Sequence, residues 1–176
     1  MIDTITQGTT TTAATEQVIQ QFIQAWHTQN KAVSKYFQKY DDAVYMQEVA
    51  PGRNRAIYLL GHLTSVSDNL LPLLGLGERL YPQLEELFGT NPDKTFEELP
   101  TVAELKDYWE KVSSRLAAHF KHMQTYEWLE PHTRVSEEDF AADPFRNKLN
   151  VLMSRTVHIG YHLGQLTLLK PEEPIA

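Results

Sequence analysis

Apolar residues recur along this chain at intervals of three, four and seven, the spacing of one face of an α-helix, and they do so in four long runs. The first, over about residues 13–40, sets Val18, Phe22, Ile23, Trp26, Val33 and Phe37 among glutamines. The second, over about 54–74, follows the turn residues Pro51 and Gly52, carries Leu59, Leu63, Val66, Leu70 and Leu74, and ends at Gly75, Gly77 and Pro82. A long connection marked by Gly89, Asn91 and Pro92 leaves room for one short helix over 83–88. The third run opens at Thr101, with Glu104 completing a capping box, and takes Val102, Leu105, Tyr108, Trp109, Val112, Leu116 and Phe120 to about Met123. Residues 125–142 are polar, hold Pro131 and the acidic Glu137, Glu138 and Asp139, and read as a loop. Asp143 and Pro144 supply an N-cap and a first-turn proline for the fourth run, which reaches about Lys170 before Pro171 stops it. No stretch reads convincingly as a strand. The pattern predicts an all-α fold, a four-helix bundle over 13–170, with a loose threonine-rich segment at 1–12 and a short tail at 171–176.

Composition narrows the function. At 176 residues, with 41% hydrophobic and 22% charged, the chain is long enough for one domain with a full core and is expected to be soluble and globular. A formal net charge of -7 without a lysine or arginine cluster argues against nucleic-acid binding. No segment approaches eighteen uninterrupted apolar residues and no secretory signal opens the chain, so no membrane contact and a cytoplasmic location are expected. There are no cysteines, so any metal must be held by His, Asp or Glu, and a reacting thiol must come from another molecule.

The candidate chemistry lies in Val157–Leu166, VHIGYHLGQL, where His158 and His162 stand four residues apart. On a helix this stacks them on one face, about 40° apart, where two ring nitrogens can meet one ion. They flank the apolar stripe Leu152, Ile159, Leu163 and Leu166 rather than a charged face. His62 edges the stripe of the second helix in a similar setting. Taken alone it reads as a core histidine bonded to a neighbour. His119 and His122, three apart, form a rival pair whose place at a helix end suits a solvated or dipole-facing role. His27 has no partner at helical spacing. Gly160 and Gly164 each cost about 1 kcal/mol of helix propensity, which points to close approach by another element. Gln165 lies on the histidine side, whereas Tyr161 is directed toward a packing role.

The run PGRNRAIYLLGHLTSVSDNLLPLLG on the second helix and HIGYHLGQL on the fourth resembles the DinB/YfiT-like superfamily of four-helix metal proteins, over about Thr15 to Lys170. The resemblance implies a divalent metal on His62, His158 and His162; from its place on the helix Gln165 is a candidate for the surrounding shell or a surface amide, and Tyr58 for the pocket wall. Tyr58 stands where many relatives carry tryptophan. Imidazole suits several metals, of which zinc or nickel is expected. Three protein ligands leave coordination positions open, as in a catalytic rather than a structural site. Some members of the superfamily are thiol S-transferases using bacillithiol or mycothiol, one group isomerises maleylpyruvate, and many have no assigned activity. The expectation is a metal-dependent enzyme, a thiol transferase with a small thiol cosubstrate or a hydrolase. The alternative is a non-catalytic metal-binding or stress-related bundle. A ferritin-like di-iron site is excluded, because no Glu-x-x-His pair occurs. The apolar helices, with Trp26 and Trp109, also suggest a homodimer.

Overall fold

The computed structural model describes residues 3–171, with side chains from residue 12 onward. Every helix or strand among them is a helix. Six α-helices follow in order: α1 (Asp3–Tyr36), α2 (Ala56–Asp68), α3 (Leu70–Leu73), α4 (Val102–Phe120), α5 (Glu137–Ala142) and α6 (Lys148–Leu166). Short 3-10 turns at Asp42–Met46 and Thr125–Leu129 and a π-helical turn at Glu85–Thr90 lie between them. Extended backbone pairs at two isolated bridges, Glu48 with Arg55 and Pro131 with Asn147. None of the described helices is long and apolar enough to cross a membrane.

The four long helices pack in a ring, α1 against α4 and α6, and α2 against the same two. Their apolar stripes meet inside it: Ile23, Trp26 and Val33 from α1, Leu59 and Leu63 from α2, Leu105, Trp109 and Leu116 from α4, and Leu152, Ile159 and Leu166 from α6, all buried. The Thr101 hydroxyl accepts from the Glu104 amide at 3.2 Å while the Glu104 carboxylate accepts from the Thr101 amide at 2.8 Å, so the capping box that opens α4 is formed as expected. At the far end of α6 the Tyr36 hydroxyl donates to the Leu166 carbonyl at 2.6 Å, satisfying one of the acceptors a helix end leaves open.

Five expectations from the sequence change. The second helix is broken at Asn69, because Pro72 has no N–H for the Asp68 carbonyl one turn back, and α3 resumes for four residues. The fourth helix starts at Lys148 rather than Asp143: the Asn147 side chain accepts from the Asn150 amide at 2.9 Å and takes the capping role. Within the expected loop, Ser136 caps α5, and the acidic Glu137, Glu138 and Asp139 favour the positive end of that helix. The backbone of residues 3–12 continues α1, since threonine disfavours a helix only modestly and no proline interrupts the segment. Val18 is exposed and Ile19 takes its inward place. The expected tail lies, apart from Pro171, outside the described residues.

The connection after α3 is what places the site. Arg55, at the start of α2, forks the Asp93 carboxylate at 2.6 and 3.0 Å, and its amide donates to the same carboxylate at 2.7 Å. Burial pushes the Asp93 carboxyl up, but the Arg55 hydrogen bonds and charge outweigh it and hold the group below the usual carboxylate range. The Tyr58 hydroxyl donates to the Asn91 carbonyl at 2.7 Å. These bonds press the Glu85–Thr90 turn onto α2, where the Phe88 ring lies over Gly61: a Cβ at Gly61 would meet it at 2.5 Å. Gly61→Ala gains about 1 kcal/mol of helix propensity yet overpacks this contact. The expected result is a net loss of about 1–2 kcal/mol in urea unfolding, and a variant more stable than the parent would contradict it.

Candidate metal centre

His62 projects from α2 and His158 and His162 from α6, the two helices packing side by side. The Nε2 atom of His158 lies 3.2 Å from that of His62 and 3.0 Å from that of His162. One ring nitrogen from each residue falls within 4.8 Å of the other two, and all three side chains are half-buried. The described residues hold no other such set of three metal-ligating side chains. His119 and His122 gather no third group, and His27 packs edge-on to Trp26.

The outer nitrogens fix the protons. His62 Nδ1 lies 2.8 Å from the Phe88 carbonyl, which can only accept, so Nδ1 carries the hydrogen and Nε2 offers a lone pair to the centre. His162 Nδ1 likewise faces the Gln165 side-chain carbonyl at 2.8 Å, and the Gln165 amide donates to the Tyr161 hydroxyl at 3.1 Å. Two lone pairs therefore converge on His158 Nε2. With its hydrogen on Nε2, His158 answers only one of them. With it on Nδ1, three lone pairs face one another while the Nδ1 donor, sealed from solvent and without a partner, goes unused. Either way a buried polar group is left unanswered, at a cost of about 1–3 kcal/mol. A cation at the meeting point would satisfy all three nitrogens, so this donor set fits a divalent metal in the protonation state that metal binding requires.

Electrostatics also favour the neutral form of the two rings on α6. Burial, then the neighbouring His162, His62 and Arg155, push the His158 pKa down to about 4. Burial lowers that of His162, with His62 adding to the effect and the Gln165 hydrogen bond opposing it.

The surrounding residues fall out unevenly. Gln165 bonds His162 directly. The Tyr58 ring lies parallel to His62, at 9° and 6.4 Å, forming a wall while its hydroxyl is spent on Asn91. Tyr161 is exposed and turned to Gln165, not packed as expected. A Cβ at Gly160 would meet Gln29 of α1 at 3.6 Å, an ordinary contact, and one at Gly164 would face open space, so close approach explains neither glycine. The glycine that permits close approach is Gly61, one residue before His62. Its place in mid-helix was the available signal, whereas the Phe88 carbonyl is a backbone atom that no residue type announces. A cavity of about 420 Å³ lies on the far side of Gln165, walled by Leu59, Tyr161 and Gln165 together with Arg53 and Asn54 and by none of the three histidines.

The sequence model of the DinB superfamily matches residues 21–166. A solved structure titled as the conserved protein of a locus from Enterococcus faecalis is similar in fold, with a TM-score of 0.60 over 86% of this chain and 96% of that one, at 17% identity. No curated protein matches the chain.

A pH dependence follows for the metal-free protein. The His158 pKa is depressed on folding, so the unfolded chain binds the proton more readily. The contribution of neutral His158 is present above about pH 6.5 and is lost as pH falls toward about 4. Urea unfolding across that window should show metal-free wild type losing stability relative to metal-free His158→Gln, which has no such group. Parallel pH profiles would contradict the assignment.

Proposed function

The chain belongs to the DinB superfamily, and from that premise we propose that it is a four-helix bundle enzyme holding one divalent ion, zinc or nickel, on His62, His158 and His162, and that it transfers a small thiol to an electrophile. The observation that carries this reading is the convergence of three Nε2 atoms at 3.0 and 3.2 Å with two of the outer nitrogens committed as donors to carbonyl oxygens. When bound, a divalent ion supplies the positive charge that lowers the pKa of a thiol or water at its open coordination position.

What the chain's own residues contribute follows from their bonds. The Phe88 carbonyl and Gln165 hold two imidazoles in the tautomer whose Nε2 points inward, and they limit rotation of the rings. The Tyr58 ring screens His62 on one side. Among the described residues, no carboxylate hydrogen-bonds any of the three histidines. The ion would activate water as well as a thiol, but hydrolysis also calls on an acid to protonate its leaving group, whereas addition of a thiol to an electrophile has no leaving group to protonate, so this setting favours thiol transfer over hydrolysis. Because the chain has no cysteine, the thiol is a separate small molecule. The electrophile we place in the cavity beside Gln165, whose volume of about 420 Å³ suits a small organic molecule.

The same lack of a neighbouring carboxylate favours the second reading, a metal-binding bundle that performs no chemistry. Metal analysis, circular dichroism and a thiol-addition assay on wild type, His158→Ala and His162→Ala separate the two. The expected outcome is about one ion per wild-type chain and less than a tenth of that in each variant. Helicity should be retained, because the leucine and tryptophan core does not depend on the ion, and thiol transfer should vanish with the metal. A fully metallated wild type inactive with every small thiol would favour the non-catalytic reading. Unfolding of His162→Ala would mark the site as structural.

A further inference from the structure

Arg155 stands one helical turn before His158 on α6. At 3.6 residues per turn it lies about 60° from His158 and about 20° from His162 around the helix axis, so it shares their face. The side chain is half-buried, and its Nε is sealed from solvent with no hydrogen-bond partner. Burial and then the charge of Arg134 push its pKa down. The neighbour that perturbs it is thus another cation. The Arg134 guanidinium itself reaches only the Asn69 side-chain carbonyl, at 3.2 Å, at the end of α2. Neither arginine takes part in any of the ion pairs among the described residues.

This is an unusual place to leave two guanidiniums. The chain has 23 acidic residues against 16 lysines and arginines, yet none of those whose side chains are described forms an ion pair with either arginine. Partly buried charges are ordinarily paired, and a cation next to a second cation lacks even neutral surroundings. The missing partner is an anion from outside the chain. The edge formed by Nε and one terminal nitrogen presents two parallel donors, which a planar carboxylate matches with both oxygens.

We propose that Arg155, with Arg134 beside it, receives the carboxylate of a small acidic ligand whose other end reaches the three-histidine centre. Resting on the thiol-transfer reading, the ligand is a thiol that carries a carboxylate close to its sulfur. Arg155 and His158 are separated by about 4.5 Å along the helix axis, at about 1.5 Å per residue. That rise sets the backbone positions of the two anchors one turn apart, and a compact thiol acid, with thiol and carboxylate on neighbouring carbons, is the simplest ligand that offers both groups to them. Arg155 would then select the cosubstrate and orient its sulfur, while the electrophile occupies the cavity on the Gln165 side.

The test uses the zinc-loaded chain and three probes: N-acetyl-L-cysteine, its amide without the carboxylate, and N-acetyl-L-alanine without the thiol. Calorimetry gives the affinities, and the Arg155 Nε–H resonance, shielded from exchange by its burial, reports contact by NMR. Wild type should bind N-acetyl-L-cysteine at least about tenfold tighter than the amide, the advantage expected of a charge-assisted bidentate pair. N-acetyl-L-alanine should move the Nε–H resonance. Arg155→Gln should abolish the tenfold preference without changing zinc content or affinity for the amide, and Arg155→Lys should recover only part of it. If N-acetyl-L-alanine moves the resonance but the thiol probe binds no tighter than it, the thiol reading fails while the arginine site stands. Equal binding of acid and amide by wild type, or an undiminished preference in Arg155→Gln, would overturn the proposal. So would loss of zinc together with the preference, which would make Arg155 a support for the histidines. Should Arg155→Gln not fold, the wild-type comparison and the resonance shift decide the matter.

Discussion

Three imidazole nitrogens, two of them held within hydrogen-bond distance of the third, with too few protons to satisfy them, form the constraint around which this fold makes sense. Two of the rings cannot relieve the crowding by changing tautomer, because their outer nitrogens are committed to the Phe88 carbonyl and to Gln165. The third, His158, has a sealed and partnerless outer nitrogen and a strongly depressed pKa, so taking up a second proton is no escape at neutral pH. The arrangement is a poor hydrogen-bond network and a good ligand set. Its persistence in a folded chain is the physical argument for a cation.

Much of the remaining structure serves to hold that crowding in place. The buried stripes of α2 and α6 set the two helices side by side, but they do not orient rings. Orientation comes from the long connection after α3. The Arg55–Asp93 pair and the Tyr58–Asn91 bond anchor one end of it, and the absence of a side chain at Gly61 lets the Phe88 ring settle directly on α2. The backbone carbonyl of the same residue then reaches His62. On the other helix the job falls to one glutamine, three residues beyond His162, which the helix geometry places on the same face.

The sequence was most legible where periodicity carries the information. The stripes of the four long helices, the Thr101–Glu104 cap and the pairing of His158 with His162 all follow from spacing along a single segment, which a helix converts directly into geometry. His62 was less secure, since only packing between distant segments brings it to the pair, and the family resemblance rather than the pattern implied its place. The boundary at Lys148 shifted because Asn147 rather than Asp143 caps the helix, whereas the break at Asn69 follows from the missing N–H of Pro72. Gly164 drew attention that belonged to Gly61: a glycine in mid-helix signals a close approach without saying which glycine has a neighbour. The Phe88 carbonyl was beyond reach, because every residue carries such a group. Arg155 lay in plain view on the histidine face, but its want of a partner can be seen only once the neighbours are known.

The central claim is that the three Nε2 atoms share one ion. X-ray absorption spectroscopy on the zinc-loaded chain tests it without reference to any reaction, because multiple scattering distinguishes imidazole from other ligands and counts it. The account predicts three imidazoles at about 2.0–2.1 Å, the distance usual for zinc and histidine nitrogen, with the remaining coordination filled by lighter non-protein atoms. A spectrum requiring fewer than three imidazoles, or zinc bound no more tightly than to His62→Ala, would contradict it.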